Sequence, residues 1–170
     1  KIYDGKFEIV YLFGADEIDV KKIPKKTFVI YHGHHGDKAA SRADLIIPTS
    51  CFTEKEGTYV NLEGRPQISS QVKLPLPNVM HSWDFFLKLA NSMQMDLGYN
   101  DFNELRSLMY KNHEHLSKIN KILKSKDFDI INVSKKFISE GIKSNIENFY
   151  MTDSVSRHSP TMASCSMNFK

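Results

Sequence analysis

The chain has 170 residues, 41% hydrophobic and 25% charged, with a formal charge of +3, the profile of one ordinary globular core or part of one. So small an excess of scattered lysine indicates neither a nucleic-acid nor an anionic-membrane partner. Two cysteines, Cys51 and Cys165, form no disulfide framework and suit a reducing compartment. No apolar stretch approaches the ~18 residues of a membrane span, and the start, at Lys1, carries no signal peptide, so any membrane association is expected through partners and the chain reads as processed or truncated.

The first expected strand is EIVYLFG, residues 8 to 14, closed by Gly14-Ala15-Asp16. The connection from Asp16 to Lys26 is about the minimum for a parallel crossover and contains Pro24, so its helix is limited to a turn or two. Phe28-Val29-Ile30-Tyr31 is a second continuous apolar run and Leu45-Ile46-Ile47, ending at Pro48, a third. Runs without polar alternation predict strands buried on both faces, the habit of a parallel sheet. Between the second and third, Asp37 is placed to cap a short helix packing through Ala39, Ala40 and Ala43. Half a parallel sheet leaves an edge, so the strand around Val10 is expected to be buried against polypeptide outside this sequence.

Loops at the carboxyl ends of such strands are where α/β folds hold ligands, which directs attention to His32, Gly33, His34, His35, Gly36 and Asp37, with Cys51 further on. A metal centre needs three or four converging ligands, and the adjacent His34 and His35 are expected to point apart. Gly33 and Gly36 would let amides face an anion, but neither common phosphate motif is complete. Beyond Pro48, Thr58-Tyr59-Val60 reads as a short strand and Asn61 to Gly64 as a turn. Glu54, Glu56, Glu63 and Arg65 read as an ion-pair network at a surface corner.

From Gln67 to Asn78 the chain is expected to be extended, Pro75 and Pro77 excluding a central strand. Helices then take over. Ser82 is the expected cap of one carrying Trp83, Phe86, Leu87 and Ala90, ended by Gly98. Asp101 and Glu104 form a capping box for a second, with Leu105, Leu108 and Met109 on one face and a period that continues through Leu116, Ile119 and Leu123. His113 and His115 are read as solvated. Phe137, Ile138 and Ile142 suggest a short helix, Phe149-Tyr150-Met151 a buried anchor, and Ser159-Pro160 the start of a last helix through Cys165.

Two segments carry a resemblance. The stretch ADLIIPTSCFTEKEGTYVNLEGRPQ resembles the shared segment of the molybdopterin oxidoreductase superfamily. YHGHHGDKAASRAD and IENFYMTDSVSRHSPTMASC resemble, more narrowly, the C-terminal portion of the large iron–sulfur subunit of respiratory complex I, NADH:ubiquinone oxidoreductase. The resemblance implies an α/β fold with a partial, mostly parallel sheet, short crossovers and a helical C-terminal half, divided at residues 1–80 and 81–170 of one domain. It implies a subunit of an oxidoreductase, at the matrix side of the mitochondrial inner membrane or on the cytoplasmic side of a bacterial one. Within it this chain is a structural domain of the peripheral arm, supporting electron transfer from NADH to ubiquinone carried elsewhere. The family's iron–sulfur clusters belong to its N-terminal region, so the clusters and the partners are expected in that portion and in other peripheral-arm subunits. No catalytic, cofactor-binding or metal-ligating residue is assigned to this chain. The alternative is a fragment of a catalytic molybdopterin oxidoreductase of the formate dehydrogenase type.

Overall fold

A computed structural model describes residues 1–36, 38–122, 144 and 146–169. The fold is α/β, and the chain divides into two compact units. The first is built from Lys1–Tyr31, His35–Ile46 and Lys126–Lys170, the second from His32–His34 and Ile47–Ser125.

Three strands, β1 (Ile9–Phe13), β2 (Phe28–Gly33) and β3 (Leu45–Pro48), form a sheet in that order. Their pairing is parallel. Thr27 Oγ1 donates to Phe7 O and Phe28 N to Glu8 O, while Asp44 N donates to Val29 O and Thr49 N to Gly33 O, so partners advance in the same direction. The crossovers are as short as the sequence requires: a single 3-10 turn at Val20–Lys22, then α1 (Lys38–Arg42). Val10, Leu12, Val20, Ile23, Val29, Tyr31 and Ala39 make the core of this unit, with Ala40 and Ala43 packed against it.

The expectation of strands buried on both faces is corrected. β1 alternates, Val10 and Leu12 inward and Ile9, Tyr11 and Phe13 exposed, and Leu45 and Ile46 of β3 are exposed as well. Among the described residues, the crossovers contribute one turn and one five-residue helix to the cover of this sheet. Val10 is buried in the chain's own core. Arg42 ties the layer down, donating to Pro24 O, Thr27 O and the Asp44 carboxylate.

In the tail, Phe149–Met151 is a 3-10 turn, followed by α4 (Ser154–Arg157) and α5 (Pro160–Asn168). Ser159 caps α5 through Met162 N, as its sequence predicts. Phe149 is exposed, against the reading of its cluster as a buried anchor.

The second unit opens with β4 (Gly57–Val60) and β5 (Pro66–Ser69), an antiparallel pair in register Val60↔Pro66 to Gly57↔Ser69. The sequence reading has this second strand only as extended chain. Pro66 starts it where no amide is required for the ladder. Helix α2 (Ser82–Ser92) follows, then α3 (Phe102–Asn112).

Ser82 does not cap α2; His81 holds that position without a side-chain bond. Asp101 caps α3 through Asn103 N and Glu104 N, but the Glu104 carboxylate accepts from Asn100 N at 2.6 Å, one residue before the expected amide. The continuous helix expected beyond α3 breaks at His113 into a 3-10 turn, Glu114–Ser117. Asn120, at φ 61°, then turns its amide onto Pro66 O, 2.8 Å away. The expected cap by Asp37 and the helix around Phe137, Ile138 and Ile142 lie outside the described residues.

Candidate functional site

β2 and β3 end side by side, and the side chains at their carboxyl ends form a hydrogen-bonded chain inside the second unit. Thr49 Oγ1 donates to Met80 O at 3.1 Å and lies 2.7 Å from Ser82 Oγ, which is 3.3 Å from His32 Nε2. Counting protons limits the roles. If Thr49 spends its hydroxyl proton on Met80 O, Ser82 is left to donate to Thr49, while the direction between Ser82 and His32 Nε2 follows the imidazole tautomer.

His32 is fully buried, its ring edge-on to Phe85 at 5.0 Å and tilted against Phe86 at 5.6 Å. Burial, assisted by the positive charge of Lys55, holds its pKa below the ordinary histidine value. Beside it, the buried Ser50 hydroxyl lies 2.8 Å from His81 Nδ1.

The charged loop that follows resolves into separate local bonds. Glu54 accepts from Cys51 N at 3.0 Å and closes the 3-10 turn Phe52–Glu54. Glu56 pairs with Arg106, whose guanidinium also stacks 4.7 Å from the Phe102 ring centroid. Asn61 Oδ1 accepts from Glu63 N and Arg65 N, both at 3.0 Å, and Glu63 pairs with Arg65 at 3.1 Å. The single network expected of Glu54, Glu56, Glu63 and Arg65 is thus three independent fasteners. Between this loop and the start of α2 lies a cleft of ≈ 300 Å³, bounded by Lys55, Gly57, Tyr59, His81, Trp83 and Phe102.

The loop histidines have different surroundings. His34, in the second unit, brings a ring nitrogen within 4.8 Å of the Cys51 thiol. His35, in the first, has its carbonyl held by Tyr31 OH at 2.7 Å and its ring 5.6 Å from His158. His113 and His115 are exposed, as read, though their rings approach to 6.0 Å.

The best-buried charge among the described residues was not singled out by sequence reasoning. Asp16, 5% exposed, accepts from Ala39 N at 2.6 Å through Oδ1 and from Arg157 at 3.1 Å through Oδ2, and Arg157 also reaches Glu17 at 3.0 Å. The only local signal was an acidic residue soon after Gly14, where a strand ends and a crossover begins.

Parallel strands, short crossovers and a Glu-Lys-x-Gly-Thr corner define a class. Residues 1–92 match the molybdopterin oxidoreductase family, and the chain belongs to it. Residues 124–165 match a narrower one, the C-terminal part of the G subunit of NADH-ubiquinone oxidoreductase. The chain is 40% identical, over 94% of its length, to the G subunit of the NADH-quinone oxidoreductase of Rickettsia felis. It is 40% identical over 96% to the mitochondrial 78 kDa subunit of NADH-ubiquinone oxidoreductase of Candida albicans, and 36% identical over its whole length to the 75 kDa subunit of Reclinomonas americana. It spans only about a quarter of these relatives, 24%, 24% and 25% respectively.

The family's name implies a pterin cofactor, and the cleft beside the Glu-Lys-x-Gly-Thr corner is the place to test the fit. At ≈ 300 Å³ it lies at the small end of sites for a drug-sized ligand. Glu56 and Arg106 are committed to each other, leaving Lys55 as the one lysine or arginine unpaired among the described residues of its wall. This cleft does not fit a phosphorylated pterin.

Proposed function

We propose that this chain is a non-catalytic structural domain of the peripheral arm of complex I, on the matrix side of the mitochondrial inner membrane, supporting an electron path from NADH to ubiquinone that runs through other polypeptide. The observation that carries the reading is the pair of matches in order, the molybdopterin oxidoreductase family over residues 1–92 and the C-terminal family of the NADH-ubiquinone oxidoreductase G subunit over 124–165. Two features of the chain support it. Cys51 and Cys165 are its only cysteines, too few for the four thiolates of an iron–sulfur cluster, so the clusters are assigned to the upstream part of the relatives or to neighbouring subunits. The polar groups at the strand ends bond to one another, Thr49 to Met80 O and Ser82, and Ser82 to His32. Among the described residues no helix is long and apolar enough to cross a membrane, so attachment is assigned to partner subunits.

Elemental analysis and pterin fluorescence on the purified assembly test this. The expected result is iron without stoichiometric molybdenum or pterin, and the chain co-purifying with NADH-oxidising subunits. Molybdenum at one equivalent per chain would move the assignment to a catalytic enzyme of the formate dehydrogenase type.

A further inference from the structure

We propose that His35 and His158 form a binding site for a divalent transition ion, zinc before others, which clasps helix α4 of the tail to the segment ahead of α1. Both residues belong to the first unit, and the site does not depend on the complex I reading. Their rings lie 5.6 Å apart, centre to centre, at 49°. An ion bonded at about 2.1 Å to one nitrogen of each ring, at an angle between tetrahedral and about 120°, sets the ring centres roughly 5.2 to 5.6 Å apart. The observed spacing falls at the upper end of that interval.

Ring packing alone would allow the same distance, but packing does not fix a tautomer, and here one is fixed. His158 Nδ1 lies 2.7 Å from Ser154 O. A carbonyl oxygen can only accept, so Nδ1 carries the proton and the neutral ring keeps its lone pair on Nε2. A backbone carbonyl on the other ring nitrogen is how proteins commonly orient a histidine that ligates a metal. His158 is exposed, so an ion reaches it from solvent, and His35 is half-buried. The frame around both is held: His35 O accepts from Tyr31 OH at 2.7 Å, and α4 is anchored through Arg157 on Asp16. Arg157, next to His158 in sequence, is paired with Asp16 and Glu17, which weakens its opposition to a further positive charge. Neutral imidazoles select zinc, nickel or copper over magnesium and calcium, which prefer oxygen. The other positions of a four-coordinate ion are left to water or further donors. Because the two histidines are far apart in the chain, the clasp closes a long loop, where such a link restricts the unfolded chain most.

The test follows the histidines one by one. Diethyl pyrocarbonate acylates a free imidazole nitrogen, an ion bound there blocks it, and peptide mapping by mass spectrometry reads each residue separately. With the chain in its purified assembly near neutral pH, micromolar zinc should slow the labelling of His35 and His158 together, by about tenfold or more, and magnesium should not. The exposed His113–His115 pair, with rings 6.0 Å apart and no ring nitrogen bonded to a carbonyl among the described residues, should be slowed by less than about twofold. In His158→Ala, zinc should no longer protect His35. Labelling that is the same with and without zinc would overturn the site, and that arm needs no variant. So would protection of His35 that persists in His158→Ala, or equal protection of His113 and His115, which would mark general adsorption to surface histidines.

Discussion

The Asp16 carboxylate divides its two oxygens between a backbone amide and a guanidinium, with almost none of its surface in water. Removing one partner of such a pair strips the other of part of its compensation, and because Arg157 keeps Glu17 the cost is roughly 2 kcal/mol. Asp16→Asn keeps the shape but removes the charge, and the urea midpoint of the chain's unfolding within the assembly should drop accordingly. Asp19→Asn, which breaks only the exposed pair with Lys22, should shift it by less than about 0.5 kcal/mol. Equal effects would show that the Asp16–Arg157 pair is a surface pair in energetic terms.

His32 makes a second prediction at the same scale. Its folded pKa is lowered from 6.5 by burial and then by Lys55, so the unfolded chain binds a proton before the folded one does as pH falls. The contribution of His32 is fully present above the unfolded value and is lost as pH falls from about 6.5 toward the lower folded value. Stability should decline as pH falls below about 6.5, the unfolded value, and the decline should be shallower in His32→Asn. Superimposable pH profiles would sink this account.

At the level of elements, the β4–β5 hairpin shows two glycines with different reasons to exist. Gly64 sits at φ +78° with open space around it, so its constraint is backbone conformation alone. Gly57 has an ordinary φ, and a Cβ there would come 2.9 Å from the Tyr59 ring, which is exposed and free to turn. Gly64→Ala should therefore cost about 1 kcal/mol and speed amide exchange across Asn61–Arg65, while Gly57→Ala costs less. The reverse order would mean that contact with Tyr59, not the turn, fixes the hairpin.

Elements also differ in how far they can be read from sequence. Strands β1 to β4, α1 and α5 announce themselves through apolar runs, turn residues and a Ser-Pro start, all local signals. β5 was obscured because Gln67-Ile68-Ser69 is an unremarkable stretch whose strand character comes from pairing with Gly57 to Val60. The break after α3 was hidden because Leu116 and Ile119 keep a helical period, although the backbone leaves the helix at His113 and is next tied by Asn120 N to Pro66 O.

For the whole molecule, the family could be read from two motifs, but the site could not be read to the same depth. Types and spacing show that His32, Thr49 and Ser82 exist; they do not show that 33 residues separate two hydroxyls lying 2.7 Å apart. The expectation of strands covered on both faces failed for a related reason. An apolar run states what a strand is suited to, and the covering layers depend on how much chain the crossovers contain. Here they contain one turn and one short helix.

The bond between Asp16 and Arg157 spans 141 residues, and that separation is also an interval in time. At a synthesis rate of roughly ten residues per second, Asp16 emerges from the ribosome on the order of ten seconds or more before its guanidinium exists. Through that interval the first three strands can collapse, but the carboxylate at the end of β1 resists burial. The charge on Asp16 is paired only when the tail returns, so a message cut short before Arg157 is expected to yield a first unit that is stalled rather than merely shorter, and a substrate for chaperones and proteases.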